Sequence, residues 1–470
     1  MKSKPSSIAV VGAGVAGVTL ALRLAQKHKC QVTLIEKGPS FVNGPPICHL
    51  HAGGNLYREI DQQQCITLLE QSIDTLRFYP FCANIRPTVI AVPIDDSGSP
   101  NDLSQRLEVL RKHYAALVAK DPLNRVLGDP NDYFQYFSRE QMSQLALQSQ
   151  PQQLDKPEHW MIELAKQLDF DSVQWPLVLV QEYGLSVFRL AASAELMLKE
   201  IPNCELHLNT EVIALKRHAD QWQIQVQRHS ETFDIEADYL INACGYQSGQ
   251  LDDMAGFSRQ RMVEFKAAYV ARWPQVSGHW PELIFHGQRG TPKGMAQFTP
   301  YAEQHIQLHG MTEDITLFKG GLVTSNLSSA QPQLSAELQH KLSHGWPQAV
   351  IEQRSQRAID HISRFLPAFS QAKVAGKPLF GAQQIPGDDA ELRAADVSFA
   401  GEFYARAEIV KANSALAVAD AIAGELGLEL QTNPPCLDCA LNAEQIEQRA
   451  IVIARLRHYP VALAKFLPTT

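Results

Sequence analysis

The chain has no run of about 20 apolar residues of the kind a membrane span requires, and no lysine- or arginine-rich stripe. Its 50 acidic residues outnumber 42 Lys and Arg, for a formal net charge of -8 spread along the sequence. A nucleic-acid partner is not expected without a basic footprint. Cysteine is sparse, eight in 470 residues, and lacks the close spacing of a disulfide scaffold, which fits a reducing, cytoplasmic setting. The single Cys436-Leu437-Asp438-Cys439 has no second ligand pair for zinc and no thioredoxin-like context for a redox pair, so no metal site is expected. A lysine-containing start before Ile8–Ala25 imitates a signal peptide, but Arg23 and three glycines interrupt it.

What is present is organised around Ile8-Ala9-Val10-Val11-Gly12-Ala13-Gly14-Val15-Ala16-Gly17, followed by Val32-Thr33-Leu34-Ile35-Glu36-Lys37. A β-prone run enters a Gly-x-Gly-x-x-Gly that opens an apolar helix, the order of a dinucleotide-binding βαβ unit. Gly12 would permit the turn, Gly14 would let backbone N–H groups approach a pyrophosphate, and Gly17 would bring helix and strand together. The helix N-terminus would stabilise the phosphate oxygens. Glu36 would accept from ribose hydroxyls and repel a 2′-phosphate, which points away from NADP. Ala13, Ala16 and Lys37 belong to the same cofactor-binding set.

Further along, Gly44–Arg58 is rich in proline and glycine and carries His49 and His51, so it reads as a shaped loop beside the nucleotide unit. Two amphipathic segments follow, Gln62–Arg77 and Asp102–Lys120, around a short β-prone run at Val89–Val92. Residues 151–157 form a polar break. From Trp175 the chain turns β-rich, a helix leads into Cys204–Leu208, and strands at 211–215, 222–227 and 233–238 alternate as an antiparallel meander should. Tyr239–Gly245 returns as an apolar strand ending in Asn242-Ala243-Cys244-Gly245. Short strands at 265–271, 283–286, 296–299 and 305–310 suggest a mixed or antiparallel sheet roofing the cofactor, with Leu334–Leu366 covering it by helices.

The expected fold class is therefore α/β: a Rossmann-like domain with a central parallel sheet and β-meander, plus a second α+β substrate domain with a mixed or antiparallel sheet. The cofactor domain is assigned to 1–90, 175–256 and 375–430, the substrate or cap domain to 91–174 and 257–374, and a helical extension to 431–470. In the third cofactor segment, Val397–Glu402 reads as a strand ending at Gly401-Glu402, with Glu402 on hydroxyls of the cofactor and a helix from about Ile409 facing it. Arg406 and Lys411 are candidates to stabilise negative charge there. In the extension, Asn442 caps a helix over 443–457 whose seam is Ile446, Ile453 and Leu456. That helix packs on the body or a second subunit, making a homodimer, or contacts a membrane peripherally to meet a quinone.

The glycine fingerprint with Glu36, the meander, Asn242–Gly245 and Phe399–Glu402 together resemble the FAD-dependent oxidoreductases of the D-amino-acid oxidase-like group, over residues 5–60, 180–256 and 375–428. The resemblance implies FAD along the first βαβ unit, with Val212 giving backbone contacts on the adenine side. The segment His49–Tyr57 is also similar to one in 2-hydroxyglutarate and glycerol-phosphate dehydrogenases and malate:quinone oxidoreductases. Only one dinucleotide fingerprint is present, which leaves NADH a weak candidate co-substrate.

These readings converge on oxidation of the C–N or C–OH bond of a small amino or 2-hydroxy acid by hydride transfer to flavin, with oxygen or a quinone as acceptor. The expected catalytic residues are His51, as base or flavin-adjacent group, with Arg289, Tyr301, His309 and Lys319 as candidates to hold a substrate carboxylate or orient its hydroxyl or amine. A covalent histidyl–FAD link at His49 or His51 is a lesser hypothesis. Two alternatives remain: a flavin-dependent monooxygenase or halogenase, and a non-catalytic flavoprotein partner.

Overall fold

The structure is a computed structural model that describes residues 4–27, 30–45, 49–55, 57–393, 397–428 and 441–467. The Cys436/Cys439 pair lies outside the described residues.

Strand β1 (Ser7–Val11), helix α1 (Val15–Lys27) and strand β2 (Gln31–Ile35) form the expected unit, with β1 and β2 parallel and Val11 opposite Ile35. Two glycines make this packing possible. Gly12 sits at φ +97°, where a β-carbon would approach the Ala243 carbonyl oxygen to 2.5 Å, and a β-carbon on Gly17 would lie 1.8 Å from the Gly12 carbonyl oxygen. The turn and helix can touch only because both side chains are absent.

The first sheet has six strands in the order 397–399, 404–407, 239–242, β1, β2 and 204–207, parallel except at the outermost pair. Helix Val187–Lys199 delivers the chain to Cys204–His207, and helix Ala415–Glu425 packs beside α1. The meander is the three-stranded antiparallel sheet Thr210–His218, Gln221–Arg228 and Glu231–Ala237, in which Trp222, Ile224 and Val226 point inward. The expected combination of parallel sheet, meander and second α+β unit is present.

The second sheet is larger, with ten strands, and among the described pairings only Thr88–Pro93 with Glu282–Phe285 is parallel. Its long central strand is Arg261–Arg272. Helices Ala336–His344 and Gln348–Ser363 occupy the stretch expected to cover it, and Ile359 and Ile362 of the longer helix join its core. The expected domain limits shift, because Thr88–Pro93, Val173–Val180 and Leu379–Pro386 all pair within this sheet. Short apolar runs do not tell which sheet a buried strand joins, so limits at 90, 175 and 375 divide strands of one sheet. The polar break after 150 leads directly into helix Pro157–Gln167, with proline in its first turn.

A second correction concerns Gly401 and Glu402. They are exposed residues of the hairpin joining Val397–Phe399 to Tyr404–Ala407. Tyr404–Ala407 runs parallel to β1 and Tyr239–Asn242, so the hairpin precedes its strand at the edge opposite the glycine turn. Strand Val397–Phe399 does run into the Gly-Glu pair as expected, but it is antiparallel to its neighbour, so it ends away from the glycine turn, a direction the sequence does not show.

The extension docks on the body. Helix Ala443–Leu456 lies against Val187–Lys199, with Arg449 Nη2 2.7 Å from Glu195 Oε1, and a capping box at Asn442 starts it. Its inward face is Ile446, Ala450, Ile453 and Ala454, whereas Leu456 is exposed. Buried Arg189 donates to the Lys465 carbonyl at 2.6 Å, fixing the end of the chain. Among the described residues no helix is long and apolar enough to cross a membrane.

Candidate active site

At the C-terminal ends of the parallel strands, two cavities of about 380 and 320 Å³ share Gly14, Ala243, Gly245, Tyr246 and Ala382, and so form one trough. The first part is lined by Gly12, Glu36, Lys37, Asn43 and Val212, the second by Ala16, His51, Lys266, His309 and Lys411 among others. Ala13 and Gly17 stand behind the lining. The Ala13 carbonyl accepts from Val42 N–H at 2.7 Å, which anchors the next loop.

The trough fits a dinucleotide flavin. A β-carbon on Gly14 would meet no protein atom within 4 Å and would project into open space, unlike those on Gly12 and Gly17. The N-terminus of α1 opens there, with the polarity that suits a pyrophosphate. Glu36 receives Ala13 N–H at 2.8 Å on one oxygen and Gly38 N–H at 2.7 Å on the other. An ionised carboxylate has about four acceptor positions, so this orientation leaves capacity for ribose hydroxyls.

The fold and trough define a flavin-binding α/β oxidoreductase. The family model of FAD dependent oxidoreductases (DAO) matches residues 7–84 and 189–388. The chain belongs to that family, and its cofactor is FAD. No curated protein matches it by sequence. Among solved structures it is similar to L-proline dehydrogenase from P. horikoshii (14% identity, TM-score 0.58, covering 94% of this chain and 96% of that one). L-amino acid deaminase from Proteus vulgaris is similar at 13% identity and TM-score 0.58, with the same coverages of 94% and 96%. L-alpha-glycerophosphate oxidase from Mycoplasma pneumoniae, with FAD bound, aligns at 13% identity and TM-score 0.55 over 91% of this chain and 96% of that one.

Beside the second part of the trough, five residues missed from sequence organise the chemistry: Arg86, Glu182, Glu282, Gln297 and Thr299. Glu282, wholly buried, receives Arg86 Nη2 at 2.8 Å, His49 Nδ1 at 3.1 Å and the hydroxyl of Thr299 at 3.0 Å. Gln297 Nε2 also donates to it. His49 Nε2 lies 3.4 Å from Glu182 Oε1, without the alignment of a hydrogen bond. Burial opposes the His49 charge, but Glu282 and Glu182 outweigh it and raise the ring to about 10. Burial likewise opposes Glu282, yet His49 and Arg86 hold it down at about 2. The available sequence signal was charged residues at the ends of apolar strands, as in Leu177–Glu182 and Glu282–Phe285, but which of them met could not be read.

The loop puts His51 at φ +58°, a left-handed conformation fixed by Gly53 N–H to the His51 carbonyl at 2.8 Å. Its ring stacks on Tyr57 at 5.4 Å and meets His49 edge-on at 4.9 Å. Burial, with the positive charges of Lys411, His49 and Arg393, holds His51 well below the ordinary histidine value. It is therefore a neutral ring, not one poised near neutrality as its intrinsic value suggested.

Of the other expected catalytic residues, His309 lines the trough. Tyr301 lies outside its lining, bonded through its hydroxyl to Gln307 Oε1 at 3.3 Å. Arg289 is paired to Glu264 and Glu391 and also lies outside the lining. Lys319 is exposed. Lys411 lines the trough and donates to the Tyr57 hydroxyl at 2.7 Å. Arg406 is buried instead in an ion network, its Nε 2.8 Å from Asp252 Oδ1, while Asp252 also holds Arg261.

Proposed function

We propose that this protein oxidises the C–N or C–OH bond of a small anionic amino or 2-hydroxy acid in the second part of the trough, passing electrons on to oxygen or a quinone. The observation that carries the reading is a hydrogen-bond chain whose directions are forced. Glu282 only accepts, so Gln297 turns its Nε2 to it and its Oε1 to His309, 3.1 Å from Nδ1. His309 must then donate from Nδ1, which leaves Nε2 with the lone pair. Burial and the charge of Lys266 lower His309 to about 3, so the ring is neutral and able to accept a proton.

The described lining of this part includes Lys266 and Lys411 and no carboxylate. Its field favours a substrate carboxylate, and an anion there would offset the charge that depresses His309. FAD, when bound, supplies the acceptor for the hydride. The chain's own work is to orient the acid by Lys411 and Lys266, take the amine or hydroxyl proton at His309 Nε2, and exclude water by closing the trough between two sheets. His51 and Tyr57 supply the adjoining wall.

The test is anaerobic mixing of the yellow protein with a panel of amino and 2-hydroxy acids. Bleaching by at least one, reversed by oxygen or a soluble quinone, is expected. Bleaching by dithionite but by no acid in the panel would remove this assignment.

A further inference from the structure

Beside the trough, two histidines of one loop converge with a glutamate far along the chain, and their facing atoms make no hydrogen bond among the described residues. His49 Nε2, His51 Nδ1 and Glu182 Oε1 lie within 4.8 Å of one another. The residues are 7%, 9% and 0% exposed, and none of the three atoms has a hydrogen-bond partner among the described residues. The 3.4 Å contact between His49 and Glu182 offsets charge but lacks hydrogen-bond alignment, and His51 Nδ1 has no partner at all among the described residues, so a bound ligand would satisfy atoms whose burial is otherwise costly.

We propose that His49, His51 and Glu182 bind one divalent first-row metal ion of zinc type. A tetrahedral centre with bonds of about 2.0–2.2 Å sets its ligand atoms about 3.4 Å apart, and His49 Nε2 and Glu182 Oε1 are separated by 3.4 Å. The surrounding residues also match. His49 turns its other nitrogen to the carboxylate of Glu282 at 3.1 Å, the arrangement that fixes a metal-bound imidazole. Glu182 Oε2 is held by Asn55 through its backbone N–H at 3.3 Å and its side-chain amide at 3.4 Å. The left-handed backbone at His51, unusual for a residue with a β-carbon, aims its ring at the same point. An N,N,O set suits zinc and neighbouring metals over calcium or magnesium. Because His49 and His51 line the trough, remaining coordination positions open toward it. The site is independent of which acid the enzyme oxidises.

The test uses the full chain carrying Cys436→Ser and Cys439→Ser, so that the Cys-x-x-Cys pair contributes nothing to the count. The protein is stripped with a chelator and dialysed to equilibrium against Zn²⁺, with and without FAD, and the bound metal is counted by mass spectrometry. One zinc per chain is expected, with affinity at least tenfold lower in Glu182→Gln and in His51→Asn at unchanged circular dichroism. Absence of stoichiometric zinc in this doubly substituted chain, which retains all three ligands, at unchanged circular dichroism would overturn the proposal. So would unchanged affinity in a folded Glu182→Gln or His51→Asn variant. Neither result would alter the bleaching by acids, so this site and the assigned reaction fail separately.

Discussion

His49 Nδ1 lies 3.1 Å from Glu282 Oε1, joining a loop beside the glycine turn to a strand of the second sheet 233 positions later in the chain. Arg86 binds the other oxygen of the same carboxylate at 2.8 Å. Replacing Glu282 with Gln leaves the Arg86 charge, and that of His49, buried without their main counter-charge. We expect a loss of about 3–5 kcal/mol in unfolding free energy, measured by denaturant titration. The double variant Arg86→Met/Glu282→Gln should recover part of it, and additive losses would show that the pair is not coupled.

Gly14 and Gly17 should fail differently. Gly17→Ala places its β-carbon against backbone at 1.8 Å, so it should lower thermal stability whether or not cofactor is present. Gly14→Val meets open space in the protein and should fold normally, while FAD affinity falls at least tenfold, or about 1.4 kcal/mol. Fluorescence titration of the apoprotein with FAD separates the two.

The extension holds the cofactor loop at a distance. Arg457 donates to the Val42 carbonyl at 2.7 Å and also to the Phe41 carbonyl, and Val42 N–H in turn bonds Ala13 at the glycine turn. Arg457→Ala should cost about 1–3 kcal/mol and weaken FAD several-fold. An unchanged dissociation constant would show the extension to be only a brace.

Acid sensitivity has an identifiable source in His286, buried at 3% exposure and lowered by burial and then by Arg58 to about 3. The unfolded chain takes up this proton near pH 6.5 and the folded chain does not. The stability contributed by the neutral ring is therefore complete above pH 6.5 and declines as pH falls toward 3. His286→Leu should flatten the dependence of unfolding free energy on pH in that window. A slope equal to that of the unsubstituted protein would assign the acid loss elsewhere.

His309→Asn tests the proton acceptor. The amide nitrogen or oxygen keeps a polar contact but cannot take the proton, so bleaching by the best acid should slow by about 10²–10⁴-fold. Bound FAD spectra should be unchanged. If the rate falls less than tenfold, another group accepts the proton.

The nucleotide half was legible because its demands are local. Gly12, Gly14, Gly17 and Glu36 fall within one strand–turn–helix–strand, where spacing along the chain equals placement in space, and strict alternation at 222–227 specified the meander. Short apolar strands carried less: 88–93, 173–180 and 379–386 read equally well as members of either sheet. Gly401 and Glu402 were misplaced for a related reason, since the end of a strand they occupy depends on its direction in the sheet. Arg289 and Tyr301 have chemistry suited to a substrate, but they lie in the connections after their strands, which turn them to Glu264 and Gln307.

The sequence by itself determined the dinucleotide turn, the α/β class and the choice of FAD through the family pattern, because these follow from backbone sterics and periodicity over tens of residues. Only the tertiary structure decided that His49, Glu182, Arg86 and Glu282 share one buried cluster, and that His309 faces the trough with a defined lone pair. The physical reason is that electrostatics and hydrogen-bond direction depend on distances of a few ångströms between segments far apart in the chain, and sheet register together with the connecting loops sets those distances.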